Sequence, residues 1–332
     1  MKLLYGIQGT GNGHLSRARD LIPRLQAFGT VDVLVSGTQS QLDLPYPIRY
    51  RCKGFSFLYN RRGGINYARS GWHNLSLQLY REIRDLPVDQ YDLVINDFEP
   101  VSAWAARWRG VPVVALGHQA SFLSPHSPRP ETRSAFGEAV LRHYAPASRG
   151  VGFHFEAYDD FIFPPVIRGD IRTAAVTDEG HYLVYLPAFH EKRLLALLEQ
   201  IPEVRWEVFS KHSRETWQQG HIRVQSVSAK AFTERLLSCR GILTGAGFET
   251  PAEALYLGKK LFVVPIRGQY EQHCNAAALA RLGVPVSWRP GPEFLPRLQA
   301  WVRETEAIQI DFPDRTEAAL ARALLRDTVL SS

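Results

Sequence analysis

Two side chains stand where acid–base chemistry could be done. His14 closes the stretch GIQGTGNGH (6–14), whose glycines at 6, 9, 11 and 13 follow directly on the apolar opening MKLLY. Asp97 ends a second apolar run, YDLVIND (91–97). An imidazole titrates near neutrality and suits the removal of a proton from a hydroxyl. A carboxylate on its other ring nitrogen would orient it and steady the imidazolium that forms. Glu99 is a less well aimed substitute for Asp97. Helix capping competes for both residues: His14 for the helix it opens, Asp97 for a helix beginning near Val101.

A second constellation lies in TGAGFETPAEALYLGKKLFVVPIRGQYEQHCNA (244–276). The strand GILTG runs into Gly245, Ala246 and Gly247, and a helix opens near Glu249 or Thr250. Free main-chain N–H groups there, with the Thr250 hydroxyl, suit a diphosphate. Glu253, one turn in, could accept the hydroxyls of a ribose. Glu271 and Gln272 place an acid and an amide side by side, fit for several sugar hydroxyls, and Asn275 could brace the loop.

Both groups need strand ends to hold them, and the pattern supplies strands. LLYGI, VDVLVSG (31–37), YDLVIND and VPVVALG (111–117) alternate with helical periods, as a parallel α/β sheet requires. Leu15, Ala18, Ile22 and Leu25 mark one helix face after His14, in which Pro23 should kink or shorten the helix. Residues 120–150 read as an irregular Pro-, Ser- and Arg-rich excursion, and 163–180 as a linker without helical period. A second series follows: strands at 181–189, 204–210, 241–245 and 261–265, with helices between them closed by Gly258 and Gly283. The expected architecture is two Rossmann-like parallel-sheet domains, 1–165 and 181–332, joined by 166–180, with ligands at the carboxyl ends of the strands. The last helix could pack back on the first domain.

The 332 residues carry a formal charge of +6, which favours anionic partners such as nucleotides or lipid headgroups. No basic block or nucleic-acid module is present, so nucleic acid is not expected. The glycine spacing is not G-x-G-x-x-G, and no acid follows the second strand, which argues against a nicotinamide cofactor. No apolar stretch approaches the roughly 20 residues that span a bilayer. MKLLY leads straight into the glycine loop without the form of a secretory leader. The 3 cysteines are far apart, which fits a reducing, cytoplasmic setting. Arg61, Arg62, Tyr67, Arg69 and Trp72 form a basic and aromatic stretch suited to an anionic headgroup or a phosphorylated acceptor.

The second constellation resembles the donor-binding signature of the UDP-glycosyltransferases of GT-B fold. Thr244, Gly247, Phe248, Glu253, Ala254, Leu255, Pro265, Glu271, Gln272, Asn275 and Ala276 match it in type and order. GTGNGH resembles the glycine loop of the same superfamily, and VINDFEPVSAW the segment carrying the Asp partner of its catalytic His. The resemblance implies a hexosyltransferase in which His14 is the base and Asp97 its orienter. Gly245, Ala246, Gly247, Phe248 and Thr250 would hold the donor diphosphate, Glu253 the ribose, and Glu271 and Gln272 the transferred sugar. Gly11, Asn12, Gly13, Arg61, Arg62 and Trp72 would face the acceptor.

The donor implied is a UDP-sugar, the acceptor a hydroxyl on a lipid-linked or cell-envelope molecule at the inner membrane face, and the outcome inverting. Cofactor and metal are not expected, and no D-x-D motif occurs. The chain departs from the signature where its His is Gly245, where its Asn is Glu249, and in a longer loop before Glu271. A non-hydrolysing UDP-sugar 2-epimerase or a non-catalytic nucleotide binder would share the donor site.

Overall fold

A computed structural model describes residues 1–37, 44–54, 77–289 and 291–325. The amino-terminal half runs β1 (Lys2–Gln8), α1 (Asn12–Gln26), β2 (Thr30–Ser36), β3 (Ile48–Cys52), α2 (Leu77–Asp85), β4 (Leu93–Asp97), α3 (Pro100–Arg109), β5 (Val113–Gly117), α4 (Ala135–His143), β6 (Arg149–Phe153), β7 (Ile162–Phe163) and a single turn, α5 (Gly169–Arg172). Its strands form one parallel sheet in the order β3-β2-β1-β4-β5-β6-β7. β1 and β4 are buried almost throughout because helices cover both faces of the sheet.

The carboxy-terminal half repeats the plan: β8 (His181–Tyr185), α6 (Glu191–Leu198), β9 (Arg205–Ser210), β10 (Trp217–Gln219), β11 (Ile222–Ser226), α7 (Ala229–Ser238), β12 (Gly241–Thr244), α8 (Glu249–Tyr256), β13 (Lys260–Val263), α9 (Tyr270–Arg281), α10 (Phe294–Glu304) and α11 (Thr316–Leu324). The strand order is β10-β11-β9-β8-β12-β13, parallel except for the β10–β11 hairpin. Gly258 and Gly283 follow α8 and α9 with positive φ, as helix-ending glycines do. In each sheet the order reverses beside its first strand, between β1 and β4 and between β8 and β12, where a doubly wound sheet opens a crevice for ligand.

Helix α1 buries Leu15, Ala18, Leu21, Ile22 and Leu25 and continues three residues past Pro23. The proline cannot donate to the Arg19 carbonyl one turn back, and the Tyr46 hydroxyl donates to it instead at 3.4 Å. The stretch 120–150 is more regular than its composition indicates: it contains α4, capped by Ser134, whose Oγ accepts from the Gly137 N–H. The linker also holds the turn α5. Helix α11 lies against α1 and β6 of the first half, with Arg149 donating to the Ala323 carbonyl at 2.9 Å. Phe155 and Phe248 meet across the two halves with ring centres 5.1 Å apart, inside one continuous apolar core.

Candidate active site

Strands β1 and β4 are hydrogen-bonded neighbours with Ile7 opposite Asp97. The loop leaving β1 therefore opens beside the end of β4, and the first turn of α1 brings His14 over Asp97. Nδ1 of His14 is 2.9 Å from Oδ1 of Asp97. Asp97 is fully buried, while 14% of the His14 side chain is exposed. A carboxylate at that distance requires a proton on Nδ1, which leaves Nε2 as the basic nitrogen. Burial alone would raise the Asp97 carboxyl, but the charge of Arg17, with His14 behind it, holds it below its ordinary range.

The turn beyond Asp97 is built to fix it. Asn96 spans it, donating to the Glu99 carbonyl at 2.6 Å and accepting from the Glu99 N–H at 3.0 Å. Phe98 has φ 55°, and among the described residues no other non-glycine has positive φ. Such strain persists only where the surroundings enforce it. Glu99, rather than Asp97, caps the following helix: its carboxylate accepts from the N–H groups of Val101 and Ser102, both at 2.7 Å. Helix α3 begins at Pro100, so the cap falls two residues later than Asp97 and Glu99 is spent on it. At the end of β5, a Cβ on Gly117 would come within 2.3 Å of Asp97 Oδ1, so only glycine leaves the carboxylate room.

Arg17, which the sequence pattern did not single out, lies beneath the pair. It is 2% exposed, and its Nη2 donates to both oxygens of Asp97 at 2.8 Å. Its Nη1 donates to Glu249 of α8, in the other half of the chain. The only local signal was its place one turn after His14. Gly13 allows the same approach, since a Cβ there would meet the Glu249 side chain at 3.1 Å.

A cavity of about 2010 Å³ separates the carboxyl edges of the two sheets. Gly11, Asn12, Gly13 and His14 line it from the first half, and Gly247, Phe248, Thr250, Glu271 and Gln272 from the second. Helices α1 and α8 both start at this cavity, and their N-cap residues, Gly11 and Phe248, make no side-chain capping bond. Lys192, Arg193, Lys211, Arg267 and Arg289 add positive charge to the second half's wall. Phe98, Phe136, Val140 and Leu141 give the first half's wall an apolar strip.

Other expected site residues fall differently. Gly245, Ala246 and Glu253 are not among the residues lining the cavity. Glu253 is buried and paired with Arg168, whose Nε donates to it at 2.7 Å. That pairing, from a residue at the start of α5, was invisible in a segment read as linker. The Ala246 carbonyl accepts from Asn275 at 3.1 Å. Gln272 braces the loop as acceptor for the Ile266 N–H at 2.9 Å, and Glu271 accepts from Gln119 at 3.0 Å. Arg61, Arg62, Tyr67, Arg69 and Trp72 lie outside the described residues.

The family described as "Glycosyl transferase family 1" matches residues 1–291. Among solved structures, a UDP-glucosyltransferase from Polygonum tinctorium has a TM-score of 0.60 at 15% identity, over 97% of this chain and 92% of that one. UGT2 of Phytolacca americana gives 0.59 at 14%, over 97% and 93%. The glycosyltransferase SnogD from Streptomyces nogalater gives 0.54 at 15%, over 98% and 99%. These likenesses are of fold, and the fold is GT-B. No curated protein sequence matches the chain. Among the described residues no helix is long and apolar enough to cross a membrane.

Proposed function

Because this chain belongs to glycosyl transferase family 1 and has the GT-B fold, we propose that it moves a hexosyl group from a UDP-sugar to a hydroxyl acceptor. One observation carries the reading: the His14–Asp97 pair and the uncapped start of α8 face each other across a single cavity. Nε2 of His14 takes the proton of the acceptor hydroxyl as its oxygen attacks the anomeric carbon. The bond to the diphosphate breaks, its electron pair leaves with the diphosphate, and the configuration at carbon inverts. N–H groups at Gly247, Phe248 and Thr250 steady the departing charge, helped by the cationic wall. Glu271 and Gln272 hold the sugar.

Charge neutralisation by main chain and guanidinium is the reading's substitute for a metal ion. The acceptor is an alcohol with an apolar body, because the cavity that His14 lines also carries Phe98, Phe136, Val140 and Leu141 on the first half's wall. A lipid-linked acceptor meets that description. Glu253 reaches a ribose only by sharing or exchanging its partner Arg168.

A thermal-shift panel of nucleotides and nucleotide sugars tests the donor class, since a ligand of the native state raises its stability with concentration. UDP and UDP-sugars should raise the melting temperature, while ADP, GDP and NAD leave it unchanged. A shift by NAD alone overturns the reading.

A further inference from the structure

Arg17 contacts both half-sites at once. Its guanidinium holds the two oxygens of Asp97 at 2.8 Å and also donates to Glu249, the first residue of α8. Buried guanidinium groups need a matched set of acceptors, and here two carboxylates, one from each half of the chain, share one cation. Glu249 lines the cavity at the helix terminus where a diphosphate would sit, so a carboxylate occupies ground favourable to a ligand's negative charge. The charged groups facing it are Arg17 and His14 from α1, Asp97 from β4 and Glu253 from its own helix. Burial, opposed by Arg17 and supported by the neighbouring acids, moves the Glu249 carboxyl up to about 7. Its protonation therefore changes readily at neutral pH.

We propose that Arg17 is a positioning residue shared by the two half-sites: it fixes Asp97 for His14, and Glu249 serves as its counter-anion until a nucleoside diphosphate arrives. The diphosphate then takes over the balancing charge, and Glu249 accepts a proton from solvent. The state of the dyad is thereby tied to occupation of the donor site. The donor half of this inference rests on the reading given under Proposed function, and the dyad half does not.

The test uses the full chain and needs no acceptor. Calorimetry with UDP, in buffers of different ionisation enthalpy at pH 7.5, counts protons taken up on binding. The wild type should take up about half a proton more per UDP than E249Q. Without ligand, NMR titration of the His14 imidazole should shift to higher pH in R17M, which loses the cation, and to lower pH in E249Q, which loses the anion. R17K should restore the wild-type curve, which mere space-filling would not require.

Equal proton counts in wild type and E249Q overturn the exchange of counter-anions. His14 curves that stay put, or move in one direction in both variants, overturn the coupling, and E249Q decides alone if R17M does not fold. Absence of any heat with UDP in the wild type, with the opposed His14 shifts intact, removes the donor reading and leaves the positioning role standing.

Discussion

His118 at the end of β5 stacks on Phe248 at the start of α8, with ring centres 3.8 Å apart and planes 5° from parallel. The same imidazole reaches Asn275 through Nε2 at 2.7 Å and the Phe153 carbonyl through Nδ1 at 2.9 Å. One ring of the first half thus seats the helix terminus of the second. His118→Ala removes the stack and leaves Asn275 and the Phe153 carbonyl short of a partner. It should cost about 2–4 kcal/mol in denaturant unfolding and weaken UDP binding. A variant as stable as the wild type would mean that the halves are held elsewhere.

His14→Ala should reduce donor turnover by about a hundredfold or more while UDP affinity stays nearly unchanged. Steady-state rates together with calorimetry separate the two effects. Full activity in the variant would remove His14 from the chemistry.

Asp97→Asn keeps the shape and deletes the charge. Arg17 then loses its main counter-ion in a buried site, a change that costs about 3–5 kcal/mol in comparable pairs. The Asp97 carboxyl lies below its ordinary range when folded. Its contribution is accordingly present above the ordinary carboxylate range and is lost as pH falls through the folded value. Acid unfolding should show that loss in the wild type and lack it in the Asn variant.

Glu249 has the opposite sign. Its folded value, about 7, lies above the ordinary one. Its contribution is complete below the unfolded value and disappears as pH rises through 7. Glu249→Gln should therefore be more stable than wild type at pH 8.5, by about 1–3 kcal/mol, with the advantage gone at pH 4.5. Melting curves at the two pH values check this, and a constant difference would refute it.

Gly117→Ala places a Cβ 2.3 Å from Asp97 Oδ1 unless the carboxylate or strand moves. Stability should fall by about 1–3 kcal/mol. Turnover should drop by more than unfolding alone explains, because the displaced group orients His14. Rates measured well below the melting temperature distinguish these.

Much of the candidate site was legible before any coordinates. Chain-local patterns carried it: apolar runs that end in His14's loop and in Asp97, and a glycine turn opening a helix at Glu249. Peripheral strands were harder to see. β3 alternates between half-buried and exposed residues, and β10 and β11 form a polar hairpin, so neither has the continuous apolar run of a central parallel strand. Helix α4 was concealed in a Pro- and Ser-rich stretch because its start depends on one cap, Ser134.

From its residues alone this protein reads as a two-sheet α/β chain with an imidazole and a carboxylate at strand ends and a glycine turn opening a helix further on, because burial and turn chemistry leave periodic local marks. Tertiary structure alone decided who meets whom. Strand order set β4 beside β1, the approach of α8 gave Arg17 its second carboxylate, and Arg168 came to Glu253 from a segment without pattern. Those pairings join residues up to 232 positions apart. No local periodicity records such contacts, since they form only when separately folded faces close on each other.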